Sequence, residues 1–76
     1  MDMKEILDAT GLLCPLPVLK ARKRLQSLAV GDRLEMRADD PAAVIDVPHF
    51  CAESGHQLVE TREEASGVQV YLIEKR

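Results

Sequence analysis

Two prolines one residue apart, Pro15 and Pro17, follow a cysteine, Cys14, and open a helix-patterned run. A proline lacks the N–H that a helix interior needs, but in the first turn that N–H has no intrahelical partner. The pair therefore fixes where the chain turns into a helix and puts Cys14 at or just before its N-terminus. That end carries partial positive charge from unpaired N–H groups, which biases a thiol toward thiolate, its nucleophilic form. The competing reading is a buried cysteine that packs at a helix start and reacts with nothing, since free cysteine is among the most buried residue types.

The rest of the chain supplies alternating strands and helices. Lys4–Ala9 reads as a short strand bounded by Thr10-Gly11. Val18, Ala21, Leu25 and Leu28 recur at helical spacing and predict a helix over 16–28, with Lys20, Lys23, Arg24 and Ser27 on the opposite side. Arg33–Ala38 alternates polar and apolar, as a half-buried strand does. Asp39-Asp40-Pro41 reads as a helix start, with an aspartate cap and proline first. Pro48 would cost about 3 kcal/mol inside a helix, so the expectation is a short turn over 41–45 and a restart. In that reading Asp46 caps the second piece, Pro48 sits in its first turn, and Val47, Phe50 and Cys51 face inward. Gly55 ends the helix in a left-handed position. His56–Glu63 and Val68–Ile73 are the last two strands, turned by Ser66-Gly67 into a hairpin.

The order β-α-β-α-β-β, with a right-handed crossover, puts both helices on one face of the sheet. The expected fold is an α/β (α+β) two-layer sandwich with a mixed four-stranded sheet and one face left open. Cys14 then lies at the C-terminal edge of the first strand, where α/β folds commonly place chemistry.

Seventy-six residues make one expected domain, 1–76. A chain this short buries about 60% of its unfolded surface, so a deep pocket for a large cofactor is not expected, and none is assigned. Met1, Asp2, Lys4 and Glu5 do not begin a secretory signal, and no apolar run reaches bilayer length. The two cysteines are too few for a secreted chain of this size. The expectation is a soluble, reduced, cytoplasmic monomer without membrane association. The net charge is −3, yet Lys20, Arg22, Lys23 and Arg24 fall in an interval, Ala9–Gly31, that holds no acidic residue. Such an island is either a docking face for an acidic partner or phosphate backbone, or a solvated helix surface.

The usual companions of a catalytic thiol are missing. There is no evident general base or oxyanion loop, and no second cysteine at CxxC spacing. A lone activated thiol on a stiff corner fits a group carrier better than an enzyme that turns over a small molecule. Cys51, beside Phe50, reads as a packing residue. His49 and His56 match no zinc spacing with the cysteines, so no metal is expected. Asp39 and Asp40 resemble a carboxylate pair, but capping accounts for them. A regulatory module holding RNA or protein on the basic helix and open sheet face is the alternative of another class. One Tyr, one Phe, no Trp and net acidity count against RNA.

Gly11-Leu12-Leu13-Cys14-Pro15-Leu16-Pro17-Val18, Asp39-Asp40-Pro41-Ala42 and Asp46-Val47-Pro48-His49-Phe50-Cys51 together resemble the TusA (SirA-like) family of small bacterial sulfur carriers. The likeness runs from about Ile6 to Ile73 and includes the Cys-Pro-x-Pro motif. It implies the same two-layer sandwich, and a Cys14 that accepts sulfane sulfur as a persulfide and passes it on. It also implies a cysteine desulfurase as donor, with pyridoxal phosphate on that partner, and a downstream relay protein as acceptor. The pathway implied by the best-known members ends in tRNA 2-thiouridine; other relatives serve sulfur oxidation, molybdenum-cofactor or selenium metabolism. No direct nucleic-acid contact is expected. Pro15 and Pro17 support the motif, and Lys20, Lys23 and Arg24 are the expected docking residues. Several relatives carry arginine where this chain has Leu13, which leaves the helix end as the main local source of thiolate stabilisation.

Overall fold

The structure, a computed structural model, describes residues 3–76; the chain start at Met1 and Asp2 lies outside them. Six elements follow in the expected order: β1 (Lys4–Asp8), α1 (Leu16–Gln26), β2 (Arg33–Ala38), α2 (Ala43–Ser54), β3 (Gln57–Glu63) and β4 (Gln69–Glu74). The sheet order is β1-β2-β4-β3. β1 and β2 run parallel, joined by the crossover through α1, and β4 is antiparallel to both β2 and β3. The last two strands form the expected hairpin, with an irregularity between Leu58 and Glu60.

One hydrophobic layer explains why the helices share a face. Leu34, Met36 and Ala38 of β2, with Tyr71 and Ile73 of β4, meet Ala21 and Leu25 of α1 and Val47, Phe50 and Cys51 of α2 in one buried cluster. The alternation of β2 sends Arg33, Glu35 and Arg37 to the other face, which no helix covers. There the strands are laced by ion pairs, Lys4 with Glu35 at 2.8 Å and Arg37 with Glu64 at 2.6 Å among them.

Both helices depart from expectation at their ends. α1 stops at Gln26, two residues early; Ser27 and Leu28 turn away, their N–H groups donating to the Arg24 and Leu25 carbonyls at 3.1 Å. Lys75 Nζ donates to the Leu25 carbonyl at 2.5 Å, placing a cation where the helix end is negative. α2 is a single helix and not two pieces. Pro48 lies inside it, and Asp46 is a first-turn residue, not a cap. The break is avoided because Ala43, Val44, Ile45 and Asp46 all donate back to Asp40, Pro41 or Ala42. Pro48 therefore forfeits one bond near the start, to the carbonyl of the exposed Val44. Gly55 closes α2 at φ 78°, as expected.

Candidate functional site

Cys14 occupies the corner between β1 and α1, in a turn that the Leu16 N–H closes on the Leu13 carbonyl at 2.9 Å. The Cys14–Pro15 peptide is cis. Pro15 is the residue that caps α1 and Pro17 is its second helical residue, so Cys14 stands just outside the helix. Two aspartates from the end of β2 hold this corner. Asp40 Oδ2 accepts the Cys14 N–H at 2.6 Å, and Asp39 Oδ1 accepts the Gly11 N–H at 2.9 Å. Asp40 Oδ1 also accepts the Ala42 N–H at 3.1 Å. Asp40 thus ties the turn before α2 to the cysteine corner but is not the expected cap: the cap position is Ala42, without a side-chain bond, and Pro41 lies ahead of the helix and not first in it. Asp39 does not cap the helix.

The thiol is exposed, whereas Cys51 is buried; both are free. Cys14 lies at one end of an open groove of about 390 Å³ between α1 and α2. Pro15, Val18 and Arg22 form one wall and Asp46, His49, Phe50 and Glu53 the other. The Arg22 guanidinium lies 5.8 Å from the Phe50 ring centre, and His49 Nε2 is 3.0 Å from Glu53 Oε1.

Here the electrostatics overturn the sequence expectation. The Cys14 thiol is pushed above its ordinary value, chiefly by the Asp46 carboxylate as acceptor for the S–H, then by desolvation and by the charges of Asp46 and Asp40. The helix end cannot offset this well. Pro15 and Pro17 have no N–H to present, and the Leu16 N–H is already bonded. The prolines that locate the helix thus remove two of the donors at its start, leaving the Val18 N–H as the remaining first-turn donor.

Lys20, Lys23 and Arg24 gather with Leu7 and Ser27 in a separate depression, and none of them lines the Cys14 groove. Arg24 also faces Glu5 at 3.6 Å. The cation that shares the Cys14 groove is Arg22, which the sequence places in the basic island without distinguishing it. Asp46, His49 and Glu53 were equally hidden as site neighbours, because the packing of α1 on α2 creates that adjacency. Spacing of three and four residues across Asp46, His49 and Glu53 would have put them on one helix face, but not opposite Cys14. His56 lies elsewhere, its Nδ1 accepting the Arg76 N–H at 3.1 Å.

Among the described residues, the chain is thus a small two-layer sandwich that presents one exposed thiol on a corner pinned by Asp40. Comparison with known proteins gives its class. The family described as "Sulfurtransferase TusA" matches residues 5–75. The "Sulfur carrier protein TusA" of Pseudomonas paraeruginosa is 48% identical over 71 residues, covering 93% of this chain and 89% of that protein. The protein of the same description from Pseudomonas entomophila is 46% identical over 70 residues, 92% of this chain and 86% of its own. The crystal structure of a SirA-like protein from Desulfitobacterium hafniense superposes with a TM-score of 0.83 at 29% identity, over 95% of this chain and 96% of that one. The chain belongs to the TusA family of sulfurtransferases.

Proposed function

We propose that this protein carries sulfane sulfur on Cys14. The observation that carries the reading is the exposure of Cys14 on a corner pinned by Asp40 in a chain of the TusA family. In the loading step Cys14 gives up its S–H proton and its sulfur attacks the terminal sulfur of a donor persulfide. A new S–S bond forms at Cys14, the donor's own S–S bond breaks, and the donor thiolate takes the proton. Delivery is the same exchange with an acceptor thiol attacking the Cys14 persulfide. No net oxidation occurs, so the carrier needs no cofactor of its own.

The donor in this proposal is a cysteine desulfurase and the acceptor a relay protein leading to tRNA 2-thiouridine, in the cytoplasm. Lys20, Lys23 and Arg24 form a docking face for an acidic partner surface, away from the groove. Direct RNA binding is disfavoured because Phe50 and Tyr71, the aromatics of the chain, are buried, and the uncovered sheet face is occupied by opposite charges. The test is incubation with a cysteine desulfurase and free cysteine, followed by intact mass with and without reductant. The expected result is a reducible gain of one sulfur atom that Cys14→Ser abolishes. Absence of that gain, with RNA retention that falls with salt and survives Cys14→Ser, would favour the binding module instead.

A further inference from the structure

We propose that Gln69 and Tyr71, a buried polar pair on β4, are positioning residues for Cys14, acting through Asp40. Tyr71 is 3% exposed and Gln69 7%, and both face the helices. Tyr71 Oη donates to Gln69 Oε1 at 2.5 Å, and Gln69 Nε2 donates to the Asp40 carbonyl at 3.1 Å. The carboxylate of the same Asp40 accepts the Cys14 N–H at 2.6 Å. A continuous line of hydrogen bonds thus runs from the core of β4 to the backbone of the reactive residue. The register makes this possible: Gln69 lies opposite Ala38, the last residue of β2, beside the segment that leaves for α2.

Packing alone does not require an amide and a phenol here. An apolar pair of similar shape would fill the space without the desolvation that a buried polar pair incurs. Nor does the Asp40 carbonyl need Gln69 for satisfaction, because the Ala43 N–H donates to it at 3.0 Å. What Gln69 adds is a second, lateral tie on the Asp40 backbone from a rigid strand. Asp40 otherwise sits in the short connection between β2 and α2, and any swing of that connection would carry the Cys14 corner with it. A thiol that must meet a sulfur on another protein gains from being held in one place, since small misplacements of reacting atoms have large rate effects.

The inference rests on the carrier reading, and the test separates the two. Gln69→Leu with Tyr71→Phe removes the tie while leaving no orphaned partner, and Tyr71→Phe alone leaves the fold more nearly intact. Three quantities are measured for each: thermal midpoint, the pH midpoint of iodoacetamide alkylation at Cys14, and the rate of sulfur loading from a cysteine desulfurase. The expected result for the double variant is a thermal midpoint within about 5 °C of the parent and loading slowed about tenfold. The alkylation midpoint should move to lower pH as Cys14 relaxes away from Asp40 and Asp46. Tyr71→Phe alone, which loosens Gln69 without removing its bond to Asp40, should slow loading by a smaller factor, about threefold, and move the alkylation midpoint in the same direction. A folded double variant whose loading and alkylation match the parent overturns the proposal. If the double variant does not fold, unchanged loading and alkylation in Tyr71→Phe overturns it. A parent protein that never loads sulfur overturns the carrier reading instead, and the alkylation midpoint then decides the positioning claim alone.

Discussion

The two thiols of this chain differ because their surroundings differ. Cys51 has apolar neighbours on α2, and burial pushes it up to about 11; Cys14 is exposed, and carboxylates push it up. At about pH 8 iodoacetamide should therefore label Cys14 slowly and Cys51 not at all until the protein is unfolded. Labelling of Cys51 in the native protein would contradict the packing role given to it. Asp46 is the main local influence on Cys14, and a carboxylate disfavours the neighbouring thiolate. Asp46→Asn should move the alkylation profile of Cys14 to lower pH; a profile that stays in place or moves up would remove Asp46 from the site. The exposed corner position of Cys14 was legible in the sequence because the proline spacing that marks it is local. Its ionisation was not, since Asp46 reaches it only through the packing of one helix on another.

At the scale of elements, the hydrophobic periods predicted β2 at its observed bounds and α1 with an error of two residues at its C-terminal end. The expected break in α2 failed for an identifiable reason. The price of a mid-helix proline falls when the helix starts nearby on donors bonded to the preceding turn, and when the freed carbonyl can be hydrated. Neither condition is visible in a sequence window around Pro48. Gly55 shows the opposite case, where a local rule suffices. It ends α2 at φ 78°, and a Cβ there would have nothing within 4 Å, so an alanine would suffer from backbone conformation and not from crowding. Gly55→Ala should cost about 1–2 kcal/mol in chemical denaturation. A neutral result would mean that the α2 terminus adjusts its path freely.

Across the whole molecule, charge is segregated by face: alternating ion pairs on the open sheet, lysines and arginines on the far side of α1, carboxylates around the thiol. The sequence disclosed the basic island but not its separation from Cys14, which comes from the rotation of α1 on the sheet. Acid stability should follow the carboxylates held below their ordinary values. Asp32 is lowered by accepting the Met3 and Ala29 N–H groups, against the opposing effect of burial, and Glu35 chiefly by its bond to Lys4. A depressed folded value means the stabilisation is whole above the unfolded values of 3.8 and 4.5 and is lost as pH falls through the folded ones. Asp32→Asn should lower stability at neutral pH and flatten its decline below about pH 4; an equally steep decline would place the acid-sensitive group elsewhere. The central claim is that Cys14 itself holds the transferred sulfur. Its most direct test is peptide mapping of the protein after loading and removal of the desulfurase. The account predicts one reducible sulfur per chain, on the peptide that contains Cys14; sulfur on the Cys51 peptide, or equal loading of Cys14→Ser, would contradict it.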